Sequence, residues 1–393
     1  MSLFCPKRAD FQFPGGDFIL ENLFNGFLAL TWQQMVMMGV GGLLIYLAVV
    51  KEYEPSLLLP MGFGTLLVNI PMTAALTQVT NGTVILGAVS VLFDAGIANE
   101  MFPLLIFIGI GAMMDFSPMI ERPVYALFGL TAQAGIFLTM GLAMLLGFGV
   151  KEAASIGIIG AADGPTSIYV STRFAPHLLG PISVAAYSYM SLVPVIQPPV
   201  IRLLTTKRER AINMPASAAR RVSKRARVLF PIIVTVAVGI FAPSSSTLIG
   251  FLMFGNLLRE SGVVRRLSES AQNELANIVT IMLGLGISCT MTGDRFLRSD
   301  TLMILVMGLV AFVLDTAGGV LSAKAVNVFS KHKINPAVGA AGISAFPMAS
   351  RTVQQMIASE HPGTFVLMQA SAANVAGQIG SVVCGGILLA LLS

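Results

Sequence analysis

One aspartate, Asp163, lies inside a long apolar and glycine-rich stretch of the chain, IGIIGAADGPTSIYVS at 156–171. An ionisable group at membrane depth is costly and is by default a functional candidate. Pro165 and the glycines around Asp163 disfavour a continuous helix, which predicts a helix break at this point. Carbonyls freed by a break, beside one carboxylate, form a cation site. The alternative is that Asp163 only caps the start of a helix, with Thr166 nearby.

A second stretch, KINPAVGAAGISAFPMAS at 333–350, carries polar groups in a similar apolar setting. Asn335 and Ser344 lie within it, and Asn374 follows in the apolar run SAANVAGQIGS. Amide and hydroxyl oxygens are ligands for hard cations, and a site with one carboxylate has a low net charge that lets its ion leave. These residues, together with Asp163, therefore predict a site for sodium rather than calcium.

Two tyrosines, Tyr187 and Tyr189, place phenols in the helix that follows Asp163. Either one could take part in chemistry, or it could only pack with its hydroxyl bonded. Four further aspartates lie closer to predicted membrane faces or helix ends, and we do not expect them to be primary ligands: Asp94, Asp115, Asp294 and Asp315.

The composition identifies the environment of these residues. The chain has 393 residues, of which 55% are hydrophobic and 11% charged, with a mean hydropathy of +0.81. Its charges cluster between long apolar runs, a pattern that excludes an ordinary soluble protein and indicates an integral membrane protein. Three scattered cysteines and three scattered histidines favour neither a disulfide framework nor a metal knuckle.

The chain divides into four segments on composition. We predict a lead-in at 1–31, a first transmembrane repeat at 32–204, a basic cytoplasmic linker at 205–227 and a second transmembrane repeat at 228–393. Basic residues concentrate around the linker, which indicates a cytoplasmic loop; the alternative is that they dock a soluble partner or acidic lipid. They are Arg202, Lys207, Arg208, Arg210, Arg220, Arg221, Lys224, Arg225 and Arg227.

The two repeats resemble each other in sequence. IGIIGAADGPTSI from Ile156 aligns without a gap with VGAAGISAFPMAS from Val338, GFGTLLVNIP at 62–71 parallels MFGNLLRESG at 253–262, and IFIGIGAM at 106–113 parallels IMLGLGIS at 281–288. An internal duplication is the interpretation, with chance similarity of glycine-rich helices as the alternative. We therefore expect an all-α polytopic membrane protein with two inverted repeats, whose broken, re-entrant helices meet near the membrane midplane.

These residues also carry a family resemblance. The segments GIIGAADGPTSIYVS, VAAYSYMSLVPVIQPP, KEYEPSLLLPMGFGTLLVNIP, FGNLLRESGVV, LDTAGGVL and KINPAVGAAGISAFPMASR resemble the beta subunit of the biotin-dependent, sodium-pumping decarboxylases. The resemblance covers the chain from about residue 25 to its end. It implies that the subunit decarboxylates carboxybiotin, exports sodium and consumes a proton in a bacterial or archaeal cytoplasmic membrane.

The resemblance also implies roles for individual residues. It places the functional aspartate at Asp163, the tyrosine at Tyr189, the serine at Ser344 and the two asparagines at Asn335 and Asn374. The arginine falls on Arg351, whose guanidinium could pair with the carboxylate of carboxybiotin.

Two departures from the family pattern affect these expectations. Ala372 and Ala373 stand where the family often has Gly-Pro, and GLGISCTMTGD at 284–294 lacks a lysine that the family often has.

The partners follow from the same resemblance. We expect a biotin carrier protein, a carboxyltransferase subunit, a small membrane subunit of the gamma or delta type, and a homo-oligomer within the complex. No lysine of the chain lies in a Met-Lys-Met setting, so we expect biotin to arrive on the carrier.

Two other classes of function stay open at this point. The chain could be a sodium-coupled transporter of an organic anion that performs no chemistry, or a structural membrane scaffold. Copurification with a biotinylated protein would favour the decarboxylase.

Overall fold

A computed structural model describes residues 26, 28–80, 83–214, 222–330 and 333–392. The lead-in expected at 1–31 falls almost entirely outside the described residues. In the part of the chain up to Arg210, the described helices are α1 (Trp32–Val49), α2 (Pro55–Asn69), α3 (Ala88–Gly96), α4 (Met101–Met113), α5 (Ser117–Glu121), α6 (Val124–Ala132), α7 (Ala134–Leu145), α8 (Val150–Gly157), α9 (Gly164–Phe174), α10 (Leu179–Ser191), α11 (Val193–Leu204) and α12 (Lys207–Arg210).

The remaining helices follow the linker. They are α13 (Lys224–Phe241), α14 (Ser246–Ser261), α15 (Arg265–Ser270), α16 (Ala276–Ile287), α17 (Gly293–Phe296), α18 (Ser299–Phe329), α19 (Ala337–Ala340), α20 (Met348–Glu360) and α21 (Leu367–Leu392). A π-helical turn at Ala271–Leu275 joins α15 to α16. Short 3-10 turns occupy Ile158–Ala161, Pro176–Leu178, Pro243–Ser245 and Ser288–Thr290.

One element departs from the all-α expectation. Strands β1 (Gln78–Thr80) and β2 (Thr83–Ile85) pair antiparallel, with Gln78 opposite Ile85 and Thr80 opposite Thr83. A hairpin this small adds little to a fold that is otherwise helical.

The helices are long and apolar enough to cross a membrane several times. In the described part of the chain, five spans meet both requirements, namely Trp32–Val49, Val124–Leu145, Arg265–Thr290, Ser299–Phe329 and Leu367–Leu392. Two bent pairs, α3 with α4 at 64° and α10 with α11 at 68°, would add two more. The prediction of a polytopic membrane protein is confirmed.

The first span, α1, shows how the sequence sets a helix boundary. Thr31 precedes it, and the Gln34 amide donates to Thr31 Oγ1 at 3.3 Å while Thr31 N donates to Gln34 Oε1 at 3.0 Å. This capping box satisfies amides that the first helical turn would leave unpaired. Beyond it, apolar side chains surround the helix and many are exposed, as expected of a helix that faces lipid.

Residues 150–178 form a helical hairpin that is broken at its tip, called here the first hairpin. Helix α8 ends at Gly157, the 3-10 turn follows, Ala162 takes a left-handed backbone with φ 53°, and α9 begins at Gly164. Both ends of the hairpin lie on one side of the molecule, since Glu152 Oε1 and His177 Nε2 are 2.9 Å apart.

Residues 335–360 form the second hairpin, in which α19 and α20 are separated by non-helical backbone at 341–347. Its two ends also lie together, because Asn335 Nδ2 donates to the Arg210 carbonyl at 2.9 Å and Glu360 Oε2 accepts from Arg210 Nε at 2.7 Å. We call the side of the molecule that bears residues 205–214 the linker side.

The two hairpins open on opposite sides of the molecule, and α4 establishes this. Glu100, just before α4, forms an ion pair with Arg173 of the first hairpin at 2.5 Å. At the other end of α4, the Met113 carbonyl accepts from Arg259 Nη1 at 2.8 Å, and the adjacent Glu260 pairs with Arg227 of the linker at 3.3 Å. The first hairpin therefore opens away from the linker side and the second opens onto it.

The tips of the two hairpins touch inside the molecule. The Ser344 amide of the second tip donates to the Ala161 carbonyl of the first at 2.8 Å. Both residues are buried. The breaks predicted from glycine and proline thus lie where the two hairpins meet.

Candidate functional site

Asp163 begins α9 and its carboxylate is almost fully buried, with 3% of the residue exposed. Oδ2 accepts hydrogen bonds from Thr166 Oγ1 at 2.6 Å, Gln378 Nε2 at 2.6 Å and Ser381 Oγ at 2.7 Å. Among the described residues, Oδ1 accepts a hydrogen bond from the Thr166 amide alone, at 3.4 Å. Asp163 therefore does cap its helix, but α21 also holds the carboxylate and leaves Oδ1 little engaged.

A cavity of about 200 Å³ adjoins this carboxylate. Among the described residues that line it, the charged ones are Asp163 and Glu54, both acidic, so the cavity favours a cation. Ser344 and Phe346 of the second tip line it as well. The cavity also reaches Met113, at the linker-side end of α4. It therefore extends from Asp163 towards the linker side.

Ser344 lies at the second tip, and Asn374 of α21 contacts that tip. Ser344 Oγ donates to the Gly377 carbonyl at 2.8 Å. Asn374 Nδ2 donates to the Ile343 carbonyl at 2.7 Å, while its buried Oδ1 has no hydrogen-bond partner among the described residues. An unpaired buried oxygen is costly unless a ligand completes it, which makes Asn374 a candidate ligand.

Asn335 and Arg351 lie apart from this group. Asn335 is buried at the linker-side end of the second hairpin, where its amide bonds residues 205–214. Arg351 is exposed in the first turn of α20, one turn beyond Pro347. The structure thus brings Asp163 and Ser344 to one cavity but does not bring Asn335 to it, and the ligand role of Asn335 stays a prediction that this geometry does not support.

The two tyrosines of α10 face different surroundings. Tyr189 donates its hydroxyl hydrogen bond to the Leu305 carbonyl of α18. Tyr187 lines the cavity, and its ring lies so close to Gly164 that a Cβ there would come within 2.1 Å of Cζ. The functional role that the resemblance implies for Tyr189 also stays a prediction, and Tyr187 is the phenol that this structure places beside Asp163.

Side-chain amides of the first half satisfy carbonyls that the second break frees. Gln197 Nε2 of α11 donates to the Ala340 carbonyl at 2.8 Å, and Gln133 Nε2, between α6 and α7, donates to the Gly342 carbonyl at 3.3 Å. These amides thus satisfy two of the carbonyls that the break leaves without a helical partner. Neither glutamine is prominent in the sequence, since isolated amides recur in many membrane helices.

Two further partners of the site escape the sequence analysis. Ser381 joins Asn374 and Gln378 at helical spacing on one face of α21, a pattern that could have been recognised. Asp315, expected near a helix end, instead lies in the middle of α18 with no exposed surface. Its carboxylate fits between Gly135 and Gly160, where an added Cβ would come within 2.0 Å of Oδ1 and 2.8 Å of Oδ2.

The fold and the site define a class of protein: a polytopic membrane protein with a buried carboxylate where the tips of two helical hairpins meet. The sequence comparisons are more specific. The family model described as the Na+-transporting oxaloacetate decarboxylase beta subunit matches residues 33–392.

Individual relatives agree with the family model. The methylmalonyl-CoA decarboxylase subunit beta of Veillonella parvula is 50% identical over 369 residues, covering 94% of this chain and 96% of the relative. The glutaconyl-CoA decarboxylase subunit beta of Acidaminococcus fermentans is 51% identical over 368 residues, with 94% and 96% covered. The oxaloacetate decarboxylase beta chain of Klebsiella pneumoniae is 43% identical over 418 residues, with 93% and 96% covered.

The chain belongs to the family of Na+-transporting decarboxylase beta subunits. The resemblance inferred from its motifs is therefore confirmed, as is the location in a cell membrane with several membrane-length helices.

Proposed function

We propose that this subunit decarboxylates carboxybiotin, presented by a separate carrier protein, and couples that reaction to the export of sodium. The single observation that supports this best is the placement of Asp163: a buried carboxylate at the tip of one hairpin, in a cavity that contacts the tip of the other. A buried carboxylate beside neutral amide and hydroxyl oxygens suits a cation that must both bind and leave.

The proposed sodium site uses Asp163, Ser344 and Asn374. Asp163 Oδ1 has one long contact, Asn374 Oδ1 has no partner among the described residues, and Ser344 lines the Asp163 cavity. These are carboxylate, amide and hydroxyl oxygens, the donor types that hard cations prefer. The residues present therefore fit a sodium ion as the transported substrate.

Decarboxylation itself needs a proton as well as a site. The bond between the biotin nitrogen and the carboxylate carbon breaks, carbon dioxide leaves, and the nitrogen keeps the electron pair and takes up one proton. Arg351, exposed one turn after the second tip, is the proposed partner of the carboxybiotin carboxylate, because a guanidinium pairs with a carboxylate through two hydrogen bonds. The cavity reaches the linker side, so carrier docking on that side is part of the proposal.

The inverted duplication belongs to this proposal, and helix packing supports it. The aligned segments place α2 with α14 and α4 with α16. In the structure α2 packs on α16, where a Cβ on Gly64 would come within 2.4 Å of Ser288 Oγ. Helix α14 packs on α4 in the same manner, where a Cβ on Gly255 would come within 2.0 Å of the Ile108 carbonyl oxygen. Exchanging the two repeats thus exchanges the two contacts, as a pseudo-two-fold axis requires.

The proposal extends to the assembly around the chain. A biotin carrier protein delivers carboxybiotin, a carboxyltransferase subunit loads it, and a small membrane subunit of the gamma or delta type completes a complex that contains several copies of this chain. Which acyl substrate the complex uses is decided by the carboxyltransferase, so the substrates printed for the relatives are candidates for it rather than for this subunit.

Replacing Asp163 tests the function directly. We expect Asp163→Asn to abolish sodium-dependent decarboxylation by the assembled complex, because the neutral amide removes the carboxylate charge at the first tip. Asp300→Asn is the matched control, since Asp300 is only partly buried at the start of α18 and bonds its neighbour Ser299 alone among described residues. Sodium-stimulated turnover at the wild-type rate in Asp163→Asn would contradict the assignment.

Copurification separates the decarboxylase from a transporter of an organic anion. A biotinylated protein that stays bound to this subunit through purification would support the decarboxylase. Uptake of an organic anion by vesicles that contain this chain alone would support the transporter instead.

A further inference from the structure

Residues 205–214, called here the clasp, bind the second hairpin from outside the membrane core. Arg210 is 5% exposed, and its Nε donates to Glu360 Oε2 at 2.7 Å. Arg202 Nε, at the end of α11, donates to the other oxygen of Glu360 at 2.7 Å. Lys324 Nζ of α18 lies 3.2 Å from Glu209 Oε1 of the clasp. Ion pairs thus hold the C-terminal end of the second hairpin, at Glu360, against the clasp.

Asn335 fixes the other end of the same hairpin to the clasp. Its Nδ2 donates to the carbonyls of Arg210 at 2.9 Å and Ile212 at 3.0 Å, which uses both amide hydrogens. Its Oδ1 accepts from the Ala337 amide at 3.1 Å and caps α19. The residue has no exposed surface. Every hydrogen-bonding atom of this amide therefore already has a partner within the protein.

The clasp also holds the start of α21, the helix that supplies Gln378 and Ser381 to Asp163. Gln369 Nε2 donates to the Met214 carbonyl at 2.9 Å, and the Phe365 amide donates to Asn213 Oδ1 at 3.1 Å. A single segment therefore connects both ends of the second hairpin with the helix that holds the Asp163 carboxylate.

We propose that Asn335 is a positioning residue, which sets the second tip against Asp163 through the clasp and does not bind the ion itself. The hairpin is short, so a displaced base moves the tip that carries Ser344. Both Nδ2 hydrogens of Asn335 are donated to the clasp and its Oδ1 accepts at the start of α19. The side chain therefore faces the clasp and does not line the Asp163 cavity. This inference rests on the proposed sodium site only where the KM for sodium is used to test it.

The ion pairs of Glu360 with Arg202 and Arg210, at the C-terminal end of the second hairpin, stabilise the clasp over a defined pH range. Burial raises the pKa of Glu360, but the hydrogen bonds from Arg202 and Arg210 outweigh it and lower the pKa below its usual 4.5. A carboxyl group with a lowered folded-state pKa stabilises the fold above its unfolded pKa and loses that contribution as pH falls through the folded value. The clasp therefore stays charged throughout the neutral range.

Asn335→Asp separates positioning from ligation. The aspartate keeps an oxygen to cap α19 but cannot donate to the clasp carbonyls. We expect hydrogen–deuterium exchange of the 205–214 amides to rise about tenfold and the KM for sodium to rise at least about threefold. A direct ligand predicts the opposite, since an added carboxylate would leave the KM for sodium equal or lower with exchange unchanged.

Glu360→Gln is the second variant, because it loosens the clasp from the other end and leaves Asn335 in place. We expect it to shift exchange and the KM for sodium in the same direction as Asn335→Asp. Glu269→Gln is the control, since Glu269 forms an exposed ion pair with Arg265 at 2.7 Å and makes no contact with the clasp among described bonds.

Unchanged exchange of the 205–214 amides in both variants would overturn the inference. A wild-type KM for sodium in Glu360→Gln, together with raised exchange of the 205–214 amides, would also overturn the inference. The exchange measurement does not depend on catalytic turnover. If the proposed function were wrong, the exchange result would still test whether Asn335 positions the hairpin, so the two failures can be told apart.

Discussion

Two phenols that are two positions apart on α10 meet different parts of the molecule. The hydroxyl of Tyr189 is bonded to the Leu305 carbonyl, whereas Tyr187 lines the cavity next to Asp163. Neighbouring helical residues point about 100° apart per step, so a separation of two places them on nearly opposite faces. Only one of them can therefore deliver a proton into the cavity without the helix moving.

This difference predicts the outcome of a matched pair of variants. Tyr187→Phe should lower decarboxylation at least about tenfold, because it removes a hydroxyl from the cavity and keeps the ring against Gly164. Tyr189→Phe, its control, should retain most of the rate if α10 keeps this orientation during turnover. Rates with saturating sodium would be measured across a pH series.

The reverse result would be equally informative. A steep loss in Tyr189→Phe with a wild-type Tyr187→Phe would assign the proton role to Tyr189, the tyrosine that the family resemblance marks as functional. It would also mean that α10 turns relative to Asp163 during the reaction.

The sequence reveals some residues of the site more readily than others. A lone carboxylate among glycines marks Asp163, since few other reasons place a charge in an apolar segment. Ser381 is harder to recognise, because serines are common in membrane helices, and only its helical spacing with Asn374 and Gln378 marks it. Asn335 illustrates the opposite case: its sequence context resembles a ligand, but its contacts are with a distant segment that no local pattern indicates.

At the level of elements, glycines decide how closely helices approach. Gly255 of α14 faces the backbone of α4, and an added Cβ would come within 2.0 Å of the Ile108 carbonyl oxygen. Neither helix has a flexible side chain there that could move away. The contact can be relieved only by separating two backbones.

Gly255→Ala should therefore destabilise the protein by about 1–3 kcal/mol, the usual cost of overpacking. Gly39→Ala is the matched control, since Gly39 of α1 has nothing within 4 Å of an added Cβ. There alanine should be neutral or should stabilise by up to about 1 kcal/mol through its better helix propensity. Thermal unfolding in detergent measures both. Equal melting temperatures for the two variants would contradict the close contact.

The breaks in the helices could be predicted, but the small hairpin was not. Glycine and proline around Asp163 and Pro347 act locally, so their effect can be recognised in sequence. The strands at 78–80 and 83–85 flank Asn81 and Gly82, and Asn-Gly between β-branched residues is itself typical of a two-residue hairpin. The apolar composition around this Asn-Gly pair is typical of membrane helices, and it led to the expectation of an all-α protein.

At the level of the whole molecule, the opposed hairpins predict which charges face each side of the membrane. Lys151 is exposed at the base of the first hairpin and Lys207 is exposed in the clasp. Lys207→Cys should react with a membrane-impermeant thiol reagent only from the cytoplasm, and Lys151→Cys only from the opposite side. The unsubstituted chain gives the background labelling. Labelling of both positions from one side would contradict the opposed arrangement.

The relation between the two halves could be anticipated only in part. Aligned glycines and prolines predict two similar segments, but sequence cannot show that their tips touch, because the Ser344 to Ala161 hydrogen bond joins backbone groups. Any residue types could make that bond. The pairing of α2 with α16 and of α14 with α4 is likewise a property of tertiary packing.

The meeting of the two tips also shapes the electric field inside the protein. Where water enters a hairpin base from either side, the insulating layer thins to the tips themselves, so most of the membrane voltage falls across a few ångströms. An ion carried past the Ser344 to Ala161 contact would then traverse nearly the whole potential, worth about 2.3 kcal/mol per charge at 100 mV, in a displacement no longer than a side chain. Voltage should accordingly act on this one short step and leave the remaining path of the ion almost insensitive to it.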